Sequence, residues 1–526
     1  MLISGIYSNE DLLVSRHSTT TQDTPDPFDV LPYDTVMADL EQILAALPRA
    51  MVYTPAARIT ALEEVQRLHA QAGSLTKAQL LVGLARIAAA AQDGHTNMDF
   101  GQLGDALPQL PMRFTWFADG LYIIAVGPAH ADWLGCQVMH LEDRPAEDWL
   151  PLLSAIIGGT VDRVRSLCAP VLITPAFLHA LGWAASAHQL RLLLRSPAGS
   201  LMPVQVDVGD EMPTLTLMPQ IGLLETPETA ASVHMQALPD KALYVGLRQI
   251  GSGTDGPLPQ VLEQVLRRVR DTRPERLIVD LRGNGGGNYI LSWPFTQQLR
   301  EAAGNARIYA LIDEGTFSAA IVMLAWLRCD AGARIIGHGP GDAEQFFAEP
   351  LSLELKTVKA RVFLATQSHD WATGRHDFRT CFWLNLLYAV PAGSLRPEVD
   401  VQRTWAEVMR GDDAALQVAL VDDMPLRQLY NRPQQPTPSR MPEAQQVALC
   451  GLLLITLGHR HGREDWLQLG NLIEQLSGMP FDELTTLRLQ HEEILCRSDD
   501  SLVRILREYR AALTPHVIAY SLAHPG

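Results

Sequence analysis

Apolar positions near the start of the chain recur with a helical period. Val36, Leu40, Ile43, Leu44 and Leu47 share one face, which predicts a helix with Asp34 or Thr35 as its N-cap. A second strong helix follows, capped by Thr76 and faced by Leu80, Leu84 and Ile87. Its alanine-rich end runs into Asp93-Gly94-His95-Thr96, where Gly94 suits a left-handed residue past the helix. From about 105 to 215 the texture changes to short apolar runs (MRFTWF, LYIIAVG, CQVMHL, QLRLLLRS, VQVDV) separated by Gly, Pro and Asp, a strand-rich pattern. A polar stretch over Met218 to Ala237 reads as a connector. From Ala242 to about Leu420 strands and amphipathic helices alternate: LYVGLRQI, a helix faced by Leu258, Val261, Leu262, Val265 and Val269, a strand at Leu277 to Leu281, a helix to about Ala303, a strand at Ile308 to Ile312, and a helix from about Ser318. This alternation predicts a βαβ-like α/β core. A Pro-rich connector, Asn431 to Pro442, precedes a helical region ending at Gly526.

The chain thereby divides into an N-terminal helical region at 30–100, a strand-rich module at 105–215, an α/β core at 238–420 and a C-terminal helical region at 443–526. A length of 526 residues, with 47% hydrophobic and 19% charged, accommodates these parts in an ordinary globular protein and excludes disordered and fibrous classes. The net charge of −17 favours neither nucleic acid nor an anionic membrane as partner. The longest apolar run, Val447 to Gly458, is shorter than the roughly 20 residues of a membrane helix and reads as a buried helix. The first residues lack a basic start followed by an apolar stretch, so a cytoplasmic chain is expected. Six scattered cysteines with no C-x-x-C pair read as reduced core residues. Only four lysines occur, Lys77, Lys241, Lys356 and Lys359, so a titratable amine has few candidates.

Three constellations could carry chemistry. Asp280-Leu281-Arg282-Gly283-Asn284-Gly285-Gly286-Gly287 follows an apolar strand; its glycines serve either a strained turn or a backbone anion hole. It contains no G-K-[ST], and Asn288 stands where a dinucleotide fingerprint needs its third glycine. Gly315-Thr316-Phe317-Ser318-Ala319-Ala320 lies between a strand and an apolar helix. Ser318 there is either a helix N-cap or a nucleophile at a sharp turn, with the helix end and the Ala319 N–H favouring an oxyanion. His95 past its helix is either a dipole-favoured histidine or a base. His459-Arg460-His461 with Glu464 and Asp465 makes only a weak metal pattern.

Taken together, DGHT, DLRGNGGG, GTFSAA and the strand ARIIGHG resemble the family of C-terminal processing (tail-specific) and tricorn-type serine peptidases. The resemblance runs over roughly Tyr33 to Leu420. It implies a Clp protease/crotonase-like αββ core, a PDZ-like β-rich insert at Leu110 to about Val208, an N-terminal helical segment, and a C-terminal helical extension with no counterpart. Tail-specific members take a Ser–Lys dyad with the lysine in a G-K-G segment. The matching stretch here, Ile336-Gly337-His338-Gly339-Pro340-Gly341-Asp342-Ala343, has no lysine, so the resemblance selects the tricorn-like Ser–His branch, with Ser318 as nucleophile and His95 as general base. The orienting glutamate of the family maps near Pro391, which cannot serve. Glu349 and Glu398 are the nearest substitutes, with Asp93 as a local alternative. The oxyanion hole falls to Gly286 and Ala319, because the position of Gly285 is often proline in the family and proline has no N–H.

The implied activity is peptide-bond hydrolysis through a Ser318 acyl-enzyme, with no metal or organic cofactor. The implied partner is a peptide or protein substrate, with a homo-oligomer left open. Two alternatives stand beside it: a non-catalytic peptide-binding or scaffolding protein of the same fold, and a hydrolase of esters or other small acyl compounds.

Overall fold

The strands and helices of the α/β region assemble around a six-stranded sheet in this computed structural model, which describes residues 28–209, 213–217, 231–425, 429 and 441–524. The strand order is Val399–Asp400, Arg334–Gly337, Arg307–Ile312, Arg276–Asp280, Ala242–Leu247 and Val233–Leu238. All neighbours pair in parallel except the last, which adds antiparallel at the edge, Leu243 opposite Ala237. The last five residues of the expected connector therefore begin an edge strand, Val233–Leu238; it is exposed along most of its length, so no alternation of buried and exposed positions marks it in sequence. Residues 218–230 of that connector, most of the Pro-rich one and the first 27 residues lie outside the described residues.

The helix Ala319–Asp330 is buried along nearly its whole length, including Trp326, as an all-round apolar helix must be. It packs in one apolar core with the sheet and with Trp371, Leu386 and Tyr388. The C-terminal helices join the same core through Leu453, Trp466 and Leu506. The run Val447 to Gly458 is indeed the buried middle of a helix, Glu443–His461. Among the described residues no helix is long and apolar enough to cross a membrane.

A second apolar core joins the helices Tyr33–Ala46, Pro55–Gln71 and Lys77–Ala89 to the strand-rich module, whose main strands order as Met112–Phe117, Gly120–Val126, Gln137–Leu141, Gln189–Arg195 and Leu201–Asp207. The hairpin Leu351–Leu355/Ala360–Leu364 contributes to this core and pairs with Asn97–Met98. That pairing carries the DGHT segment onto the α/β region.

Several local expectations shift. The first helix starts on Pro32 with no side-chain cap, and Thr35 Oγ1 donates back to Pro32 O. Leu44 is exposed. Thr76 does cap its helix, in a reciprocal box with Gln79. The left-handed residue after that helix is Gln92, at φ 52°, and not Gly94. The six cysteines are free and all buried except Cys496, which is exposed.

Candidate active site

Ser318 sits at φ 55°, ψ −122°, ahead of the helix Ala319–Asp330, and its hydroxyl makes no capping bond to that helix. A non-glycine residue in that region costs of order 1–3 kcal/mol and persists only where its surroundings hold it. Those surroundings are explicit. Phe317 N–H donates to Asn284 O at 2.9 Å, Thr316 Oγ1 donates to Leu281 O at 2.8 Å, and Gly283 and Gly315 N–H both donate to Asp313 Oδ1 at 2.8 and 3.0 Å. The serine turn and the glycine loop are thus one bonded unit at the carboxyl ends of two adjacent parallel strands, where α/β folds place ligands.

The acidic and basic members of DLR hold the base of this unit. Asp280 is fully buried and accepts from Arg282 Nη2 and Tyr244 Oη, both at 2.7 Å, while Arg282 also reaches Asp413 at 2.7 Å. Burial alone would raise the Asp280 carboxyl, but the Arg282 guanidinium holds it below the usual carboxylate range.

Gly286 lies directly against the serine. At φ 107°, a Cβ there would stand 2.7 Å from Ser318 Cβ and 2.9 Å from Ala319 N, so only glycine fits. Its N–H, however, already donates to Asn284 Oδ1 at 3.0 Å. Ala319, as the first helical residue, has an N–H with no acceptor within its own helix.

His95 is 2% exposed. Its ring stacks on Phe317, the residue before the serine, at 4.2 Å between centroids, and on Phe346 at 5.1 Å. Neither ring nitrogen makes a hydrogen bond in this structure, so His95 Nε2 and Ser318 are not yet joined. A catalytic hydrogen bond of this kind commonly closes only around bound substrate. Burial pushes the imidazole down to about 3, which keeps it neutral over the working pH range. Asp93 accepts the N–H of His95 on Oδ1 and of Phe347 on Oδ2, each at 3.0 Å, pinning the histidine turn to the strand Gln345–Ala348.

The carboxyl group that reaches the imidazole is Asp342, with Oδ2 3.3 Å from Nδ1. It lies in the GHGPGDAEQ segment, where a lone aspartate among glycines carries no motif of its own. Gly94 of DGHT makes room for it: a Cβ there would meet Asp342 Oδ2 at 2.6 Å.

The two glutamates expected near His95 are engaged elsewhere. Glu349, at φ 51°, lies 4.0 Å from His369 Nε2, and His369 is separated from His95 by the Phe346 ring stacked between them. Glu398 accepts Ile335 N–H at 2.8 Å and lies 3.5 Å from Arg328, bracing the strand Arg334–Gly337. Of the weak metal pattern, His461 pairs with Asp499 at 2.8 Å and stacks on Phe378, while Asp465 pairs with Arg463. The lysines stand apart from this chemistry: Lys241 pairs with Glu275 at 2.8 Å, Lys356 and Lys359 flank a hairpin turn, and Lys77 begins a helix.

No family model and no curated protein matches the chain. Among solved structures it is similar to mature CPAF, at 12% identity and TM-score 0.45 over 72% of this chain and 94% of that one. It is similar to the photosystem II D1 C-terminal processing protease at 13% identity and TM-score 0.32, covering 72% and 98% of the two chains. The tricorn protease matches at 12% identity and TM-score 0.31, over 74% of this chain and 36% of that one. These solved structures are all of the C-terminal processing and tricorn peptidase type named by the sequence motifs.

Proposed function

We propose that the chain is a serine peptidase in which Ser318 is the nucleophile and His95 the general base. The observation that carries this reading is the serine turn. A strained, non-capping serine stands at the end of a buried helix, braced by the glycine loop and joined to a neutral buried histidine through Phe317. A serine retained only as a helix cap would have no need of that strain. His95 takes the Ser318 proton, Oγ attacks the peptide carbonyl, and the leaving amine receives the proton from the imidazole; water then repeats the sequence on the acyl-enzyme. The Ala319 N–H meets the oxyanion, with Gly286 as second donor once its N–H is shared between Asn284 and the substrate oxygen.

In this reading the division at 30–100, 105–215, 238–420 and 443–526 stands for a histidine-bearing helical region, a PDZ-like substrate module, a Clp/crotonase-like core and a helical extension, in a cytoplasmic enzyme. The antiparallel sheet of the second part and the parallel sheet of the third support it. The test is peptide hydrolysis by the full chain. Ser318→Ala and His95→Ala should each remove nearly all turnover, and the double variant should be little worse than either, since the pair acts as one unit. Independent, multiplying losses contradict the dyad. Ester turnover without peptide turnover would favour the small-acyl hydrolase, and neither, in a folded protein, the scaffold.

A further inference from the structure

Two buried carboxyl groups converge on His95, and they are chemically unequal. Asp93 uses both oxygens on backbone N–H groups. Asp342 uses only Oδ1, which accepts Ala343 N–H at 2.9 Å. Its Oδ2 is buried without a hydrogen-bond partner and stands 3.3 Å from His95 Nδ1, also buried and without one. An unpartnered acceptor and an unpartnered ring nitrogen face each other in a buried site, each leaving a cost that the other can remove. Phe317 and Phe346 hold the faces of the ring, so a small in-plane turn is the movement left to align the pair. The absent side chain of Gly94 makes room for the carboxyl.

Resting on the Ser318–His95 reading, we propose that Asp342 is the positioning residue of the site: its carboxylate accepts the Nδ1 proton of His95, fixing the tautomer whose Nε2 lone pair faces Ser318. When Oγ attacks, its proton passes to Nε2, and the imidazolium formed is balanced by the Asp342 charge. When the amine leaves, the Nε2 proton goes with it. Asp342 itself neither gains nor loses a proton in the step.

The arrangement has a pH signature. The charged groups facing Asp342 are Asp93, Arg163 and His95, with His369 beyond Phe346. Burial pushes the Asp342 carboxyl up to about 7, against the Ala343 N–H and Arg163. The same burial keeps His95 neutral well below that pH. Asp93 is also raised by burial and by Asp342, to about 6, but both its oxygens stay on backbone N–H groups, so the carboxyl whose change of charge near neutrality meets Nδ1 is Asp342. When protonated it cannot accept from Nδ1, so reactivity of Ser318 should rise with pH through about 7.

The experiment uses the full chain and diisopropyl fluorophosphate, following the rate of Ser318 modification from pH 5 to 9. The wild type should show a limb rising about tenfold per unit to a plateau above 7. Asp342→Asn should lower the plateau about a hundredfold or more and lose that limb. A purely structural role for Asp342 would lower the rate and leave the limb in place, which overturns the proposal while the Ser318–His95 reading stands. Absence of modification in the wild type at every pH defeats that reading and this inference together. If Asp342→Asn does not fold by circular dichroism, the wild type decides alone. With nitrogen-15-labelled histidine, a His95 signal in the Nδ1–H form at pH 8 supports the assignment, and the Nε2–H form overturns it.

Discussion

Substituting Gly286 by alanine tests whether the glycine loop is shaped by the serine it touches. Two costs combine. An alanine held at φ 107° costs about 1–3 kcal/mol as strained backbone. Its Cβ, at 2.7 Å from Ser318 Cβ and 2.9 Å from Ala319 N and Phe317 O, adds about 1–3 kcal/mol of overpacking, since two of these neighbours are backbone. Gly283 in the same loop is the matched control. It lies at φ 67°, but a Cβ there meets nothing within 4 Å, so Gly283→Ala carries only the left-handed cost of about 1–2 kcal/mol. Equilibrium urea unfolding followed by tryptophan fluorescence suits the comparison, because Trp326 and Trp371 are fully buried in the affected core. Gly286→Ala should lose about 2–6 kcal/mol against about 1–2 for Gly283→Ala. Relief of the clash must move Ser318 or Ala319, and a displacement near 1 Å costs about a hundredfold in rate. Modification of Ser318 should therefore slow far more in Gly286→Ala than in Gly283→Ala. Equal stability losses and equal rates in the two variants would refute the idea that Gly286 is reserved for the serine turn.

Three further outcomes follow from named groups. Asp280→Ala leaves Arg282 with half its carboxylate partners in a buried setting and should cost about 3–5 kcal/mol in urea unfolding; Asp280 is held below the usual carboxylate range, so its contribution is present above that range and is lost as pH falls through the lowered value. Asp342 is raised to about 7, so the folded chain binds more protons there than the unfolded chain between about pH 4 and 7; wild-type stability relative to Asp342→Asn should therefore fall across that window, by a few kcal/mol at most. Replacing Lys241, Lys356 and Lys359 by arginine and the buried Lys77 by methionine should leave Ser318 modification intact, whereas its loss would return the general base to an amine.

Much of this was legible because local signals agreed. The apolar alternation marks the parallel strands, the Thr76–Gln79 box marks a helix start, and DLRGNGGG with GTFSAA marks two strand-to-loop junctions that prove to be hydrogen-bonded to each other. What lay hidden depends on contacts across sequence. The strand Val233–Leu238 shows no alternation because, at the sheet edge, it is exposed along most of its length. The stack of Phe317, His95, Phe346 and His369 joins segments far apart in the chain, drawn together by the pairing Phe346–His369 and by the Asp93–Phe347 bond among other contacts. Gly94 suits a left-handed residue by its sequence position, yet its backbone is not left-handed and its value is the space it leaves for Asp342. Glu349 and Glu398 are nearest along the chain to the family's glutamate position, yet Glu349 lies beside His369 and Glu398 braces a strand.

The most direct measurement is activity-based labelling of the full chain with a fluorophosphonate probe, with the modified peptide identified by mass spectrometry. If Ser318 is a nucleophile activated by His95, one adduct appears on the peptide containing Ser318, vanishes in Ser318→Ala and slows about a hundredfold or more in His95→Ala. A folded chain that takes no label, or that takes it equally with Ser318 replaced, contradicts the serine peptidase.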